Sequence, residues 1–284
     1  MMTTPKGRTG AFYREWTGPG DWFRLRVNAD QVARIPAAFL DEQRRSMGDR
    51  LFQQEYFTEF TSPDNAVFDE ELIAASVNEG LHHPPVPGRR FSNYLIGVDF
   101  GKLRDHSAVV ILERSQDQTG LSYTVRGLER FPLHTKFRDV RSRVREITEQ
   151  YPYRGNCHLL LDGTGIGEPV DELFRSDTFA CPIEKFVITS GENATSGHVP
   201  KKDLIANLQL MMEMGELHIP RDLPGTAWLL EEFRAMRAQP TSTGETRYEA
   251  PQGEHDDLVM ALSLAAWKSR PRVPTVGERS QRLI

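Results

Sequence analysis

Tyr94-Leu-Ile-Gly-Val-Asp99 is a near-continuous apolar run that ends on an acid. Such a run reads as a strand buried on both faces. Downstream, Ser107–Leu112 and Ser122–Phe131 read as two more strands across short connections, which predicts an antiparallel meander. Phe137, Val140, Val144 and Ile147 then recur at three- and four-residue spacing, making 136–150 an amphipathic helix. Cys157–Leu161 is a second buried strand ending at Asp162. A Gly-rich turn, a helix near 169–176 and a strand at Ile183–Ile188 complete this unit. Beyond it the sequence predicts a helix over Lys201–Gly215, a turn at His218–Pro220 and an amphipathic stretch from Thr226. A hairpin around Thr241-Ser-Thr-Gly-Glu245 and a final helix over about 255–268 follow. Upstream, Leu81-His-His-Pro-Pro-Val-Pro-Gly-Arg-Arg90 disfavours both helix and sheet and reads as a linker. Ahead of it, Trp22–Asn28 reads as a short strand, Pro36 opens a helix continued by Ala37–Met47, and Leu51–Phe60 is a packing element.

The chain has 284 residues, 38% hydrophobic and 26% charged, an ordinary globular composition. Its two cysteines, Cys157 and Cys181, exclude a disulfide scaffold and a cysteine-based zinc site, and suit a reducing compartment. No apolar run approaches the ~20 residues of a membrane span. Met1-Met-Thr-Thr-Pro-Lys6 lacks the apolar core of a signal peptide, so a cytosolic protein is expected. The net charge of −5 is unevenly spread: +3 over 91–154, −10 over 155–267 and +4 over 268–284. An acidic centre between basic flanks suits a cation site beside a polyanion surface, and equally an ordinary acidic surface.

Three antiparallel strands followed by helix, strand, helix, strand is the element order of the ribonuclease-H-like fold. The fold class expected is therefore α/β, with a mixed central sheet of five or more strands flanked by helices, and a C-terminal hairpin and helix. Within it, three acidic positions stand at the ends of elements. Asp99 ends the first strand, Asp162 ends the fourth, and Asp256 and Asp257 open the last helix. Parallel neighbouring strands lie about 4.8 Å apart, so Asp99 and Asp162 can share a cation. Hard oxygen donors favour Mg²⁺ or Mn²⁺, and two such ions suit phosphodiester hydrolysis. An isolated acid at a strand end can instead form a turn, and one at a helix start can be a cap. Three such sites in order shift the balance to a metal site. Asp257, nearer the apolar stripe of Leu258, Ala261 and Leu262, is the favoured direct ligand of the pair.

Lys102 and Arg104 lie in a polar turn that serves either a phosphate or a charged hairpin tip. Lys201 and Lys202 open a helix, where cations oppose the dipole and a phosphate contact would explain them. His255 is the histidine placed near the acids. Arg138, Arg141 and Arg145 form a stripe that reads more readily as a solvated face with Asp139–Arg143 and Arg145–Glu149 pairs. The Asp162-Gly-Thr-Gly-Ile-Gly turn matches no phosphate-loop pattern.

Leu95-Ile-Gly-Val-Asp-Phe-Gly101, Leu160-Leu-Asp-Gly-Thr-Gly-Ile-Gly167, Val199-Pro-Lys-Lys-Asp-Leu204 and His255-Asp-Asp-Leu-Val-Met-Ala-Leu262 together resemble the nuclease domain of large terminase subunits, the DNA-packaging motors of tailed bacteriophages. The resemblance implies that Asp99, Asp162, Asp256 and Asp257 are catalytic and hold two Mg²⁺ or Mn²⁺ ions. It implies a metal-dependent endonuclease that cuts concatemeric viral double-stranded DNA in the host cytoplasm. Implied partners are DNA, the portal protein, the small terminase subunit and an ATPase domain or chain, with no membrane. Residues 1–80 are then the end of an ATPase domain plus a linker segment, 81–90 a linker, 91–270 the nuclease domain and 271–284 a flexible basic tail. The family's P-loop is missing from this sequence, so ATP hydrolysis is not expected of it alone. The alternatives are a Holliday-junction-resolvase-like nuclease and an actin- or sugar-kinase-like ATPase.

Overall fold

The computed structural model describes residues 12, 15–16, 18–60, 65–79, 93–101, 105–117, 120–164, 174, 179–191, 194–195, 197–240, 246–251 and 253–269. Helix α1 (Ala37–Met47) starts directly after Pro36, whose missing N–H suits a helix start. Gly48, at φ 80°, turns the chain into α2 (Asp49–Phe57). Leu40, Phe52 and Ala29 form a small core of their own. Trp22–Asn28, expected as a strand, joins no ladder and is largely exposed, with Phe23 at 92%. Alternating residues make a strand only where a partner strand is available.

The main body runs through α3 (Glu70–Ser76), β1 (Val77–Asn78), β2 (Asn93–Asp99), β3 (Ala108–Asp117), β4 (Gly120–Arg130), α4 (Phe137–Glu149), β5 (Cys157–Asp162), β6 (Ile183–Thr189), β7 (His198–Pro200), α5 (Lys201–Glu213), β8 (Leu217–Pro220), α6 (Thr226–Ala235), β9 (Arg237–Pro240), β10 (Thr246–Glu249) and α7 (Asp257–Ser269). Among the described residues eight strands form one sheet in the order β1-β8-β4-β3-β2-β5-β6-β7, while β9 and β10 form a separate hairpin. The β2-β3-β4 meander is antiparallel, and β5 pairs parallel to β2 as expected. His218–Pro220 is not a turn but part of β8, parallel to both β4 and β1. Leu217 and Ile219 are buried there, and a segment so short shows little periodicity.

Successive residues of β2 face opposite sides of the sheet. Tyr94, Ile96 and Val98 pack with Val140, Val144 and Ile147 of α4. Leu95 packs on the other side with Leu258, Ala261, Leu262 and Ala265 of α7. Both faces are covered by helices, which is why the strand reads as an unbroken apolar run.

The expected domain boundary at residue 91 does not follow the packing. Val67, Phe68 and Ile73 belong to the same core as α7, and the Phe68 ring lies 4.7 Å from that of Phe233. The 81–90 linker, the 271–284 tail and all but Phe174 of the helix expected at 169–176 lie outside the described residues.

Candidate active site

Asp99 is the last residue of β2 and Asp162 the last of β5. The parallel register sets Val98 opposite Leu161, so the two acids leave the sheet at one edge. Asp162 is close enough there for its charge to raise the pKa of Asp99. The third position arrives on α7, which lies directly on β2 over Gly97. A Cβ at Gly97 would stand 1.9 Å from the carbonyl oxygen of Ala261. Gly97 and Asp99 share a face. A helix seated on the glycine therefore brings its N-terminus, and Asp257, towards Asp99.

Asp257 is buried, its side chain only 5% exposed. Its Oδ2 accepts the backbone N–H of His106 at 3.2 Å and lies 3.6 Å from Nδ1 of His255. Burial pushes its pKa up to about 7, helped by the charge of Asp256 and opposed by the His106 N–H. Asp99 keeps some surface open to solvent, but its carboxyl is surrounded by other acids. Burial first, then the charges of Asp162, Asp257 and Asp256, hold it well above the ordinary carboxylate range.

Each remaining acid is held by the protein. Asp162 Oδ1 accepts the N–H of Thr164 at 2.7 Å, and the Thr164 hydroxyl accepts the N–H of Ile188 at 2.7 Å, tying the turn to β6. Asp256 pairs with Nζ of Lys201 at 2.8 Å. Lys201, the phosphate candidate, opens α5 as expected and there meets an acid of the cluster. Among the described residues no three or more His, Cys, Asp or Glu side chains are placed so that they would together hold a metal ion. The cluster nevertheless fits a divalent cation. The charges of Asp162, Asp257 and Asp256 converge on Asp99, and the donors are hard oxygens, the set preferred by Mg²⁺ and Mn²⁺.

Of the remaining sequence candidates, Lys202 is exposed next to Lys201, while Lys102 and Arg104 lie outside the described residues. His255 is at the site as expected, 30% exposed, its ring 4.8 Å from that of His106. Burial, then His106 and Arg130, lower its pKa. The arginines of α4 are on the far side of the sheet from Asp99. Arg145 pairs with Glu149 at 2.8 Å, but Arg143 turns to Glu129 and Glu146 rather than to Asp139.

Three residues escaped the sequence reading. His106 was not expected at the site. Arg130 shares a row with the acids through the register Arg130↔Ala108 and Ala108↔Asp99. Glu232 sits buried on α6, and its only signal in the sequence is an acid within an apolar stripe.

The model of the terminase RNase-H-like domain matches residues 96–268. The large terminase subunit of Thermus phage G20c is 31% identical over 228 residues, which is 79% of this chain and 42% of that protein. The chain thus spans about two fifths of that relative's length. The crystal structure of the large terminase nuclease from thermophilic phage G20c with bound magnesium superposes with a TM-score of 0.53 at 26% identity, covering 72% of this chain and 97% of that one. The cobalt-bound form of the same nuclease gives 0.51 at 25% identity, over 72% and 97%. With the sheet order, the shared sheet edge and the acidic helix all in place, the chain belongs to the terminase RNase-H-like domain family.

Proposed function

We propose that this chain is a divalent-metal-dependent endodeoxyribonuclease that cuts concatemeric viral double-stranded DNA during genome packaging. One observation carries the reading: acids far apart in the sequence gather where two parallel strands end and a helix begins, and burial with mutual repulsion raises Asp99 and Asp257. Family membership and the magnesium-bound relative support it.

Asp99, Asp162 and Asp257 hold two ions of Mg²⁺ or Mn²⁺, with Asp256 beside them. When bound, such a pair supplies charge stabilisation at the scissile phosphate and a water of lowered pKa. The protein's own groups set the frame. The β2–β5 register spaces Asp99 and Asp162, α7 delivers Asp257, and Lys201 restrains Asp256. Lys202, Lys102 and Arg104 contact DNA phosphates, and His255 stands at the rim. Such contacts orient the duplex without reading its sequence, so cleavage sites are chosen by partners. These partners are an ATPase domain or chain, the small terminase subunit and the portal protein. Residues 91–270 carry the nuclease chemistry, and the basic tail beyond them adds to DNA affinity.

The test is plasmid nicking by wild type and Asp162→Ala in Mg²⁺, Mn²⁺ or EDTA. Nicking should need a divalent ion and fall to the EDTA background in the variant. Cleavage in EDTA, or full activity in the variant, defeats the mechanism. Selective cutting of a four-way junction over linear and supercoiled duplex would favour the resolvase-like reading instead.

A further inference from the structure

The first turn of any α-helix carries N–H groups that the helix itself cannot satisfy. In α7 two of them, from Leu258 and Val259, donate to a single oxygen of Glu232, at 2.7 and 3.1 Å. Asp256, immediately ahead of the helix, has its own carboxylate engaged by Lys201. Glu232 thus reaches across from α6 to hold the turn that bears Asp257. It is 3% exposed and lies between Leu229 and Phe233 in the main core.

Capping these two amides accounts for one carboxyl oxygen of Glu232 but not for the other. An apolar side chain would complete the buried stripe of α6, and burying a carboxyl group is unfavourable unless it is fully bonded. Glu232 is not fully bonded: its Oε1 has no hydrogen-bond partner and lies 3.6 Å from the Arg130 guanidinium. Arg130 is in turn braced over the Trp228 ring at 4.8 Å, in the row that leads to Asp99. Glu232 therefore joins the acidic helix to the β4 end of the row containing Asp99.

We propose that Glu232 is a positioning residue for the metal centre: by gripping the Leu258 and Val259 amides it fixes where Asp257 meets Asp99. This rests on the reading of the acids as a metal centre. The outer partners of metal ligands commonly govern affinity in this way.

The experiment is calorimetric titration of Mn²⁺ into the full chain, well below its unfolding temperature, comparing wild type with Glu232→Ala, Glu232→Gln and Asp162→Ala. Glu232→Ala should lose roughly 10- to 100-fold in Mn²⁺ affinity while remaining folded. Glu232→Gln keeps an oxygen able to accept both N–H bonds and should bind Mn²⁺ nearly as wild type does. Wild-type affinity in Glu232→Ala, or an equal loss in both Glu232 variants, overturns the proposal. No Mn²⁺ binding by wild type sinks the metal-centre reading itself, a different failure. Should Glu232→Ala not fold, amide exchange in the wild type decides: strong protection of Leu258 and Val259 supports the grip, and free exchange overturns it.

Discussion

Asp257 combines near-complete burial with a pKa raised to about 7, and the direction of that shift has a consequence for stability. Folding favours its protonated form. The stabilisation is complete below the ordinary pKa of 3.8 and is lost as pH rises through about 7. In EDTA, Asp257→Asn should therefore gain stability relative to wild type as pH climbs across that window. At about pH 8 the advantage should be on the order of a few kcal/mol, read from denaturant midpoints. A pH-independent difference would contradict the assignment. At this scale much of the site was legible: an acid closing an apolar run, or opening an apolar helix, is visible in one sequence. Glu232 and His106 were not, because nothing local distinguishes an acid that reaches another helix's amides from one that faces water. Lys201 was half legible. Its misplacement against the dipole was apparent, but its partner Asp256 is distant in sequence.

The contact between β2 and α7 shows what a single missing methyl group does for an element. At Gly97 an added Cβ would strike the backbone of Ala261, which cannot yield, whereas at Gly127 it would meet the Ile111 side chain, Cδ1 at 2.8 Å and Cγ1 at 3.2 Å. Gly97→Ala should cost at least ~3 kcal/mol of stability, the upper end for overpacking, and should abolish nicking. Gly127→Ala should cost about 1 kcal/mol, the lower end of that range, and leave nicking intact. Chemical denaturation and the plasmid assay check both, and equal effects would mean that α7 does not depend on this approach. Elements with a strong period, such as 136–150, and the long apolar strands were readable. Two short ones were not, for opposite reasons. Trp22–Asn28 has the look of a strand but finds no partner, while β8 looks like a turn and becomes a strand because β4 and β1 flank it.

Across the whole molecule the excess of negative charge over 155–267, −10 in all, includes three of the four clustered acids. Divalent binding should therefore stabilise the entire fold, not merely the site. At a hundredfold excess over the dissociation constant the gain is about 2.7 kcal/mol. That corresponds to a rise of roughly 5–10 °C in Tm for a chain of this size. Differential scanning in Mn²⁺ against EDTA measures it, and Asp162→Ala should show almost no rise. The global topology was legible from element order, but the docking of 65–79 was not, since it depends on contacts with residues some 170 positions later. That docking has a mechanical side. The N–H of Val67 donates to the carbonyl of Met236 at 3.1 Å, and the N–H of Ala238 to that of Asn65 at 2.7 Å, so this segment is stitched to the first strand of the hairpin. A pull on the polypeptide at Asn65 is thus loaded onto β9 directly, and through its ladder onto β10, the strand that precedes the acidic helix. Force applied at this seam is shared between the strand ladder and the core on which the acidic helix rests.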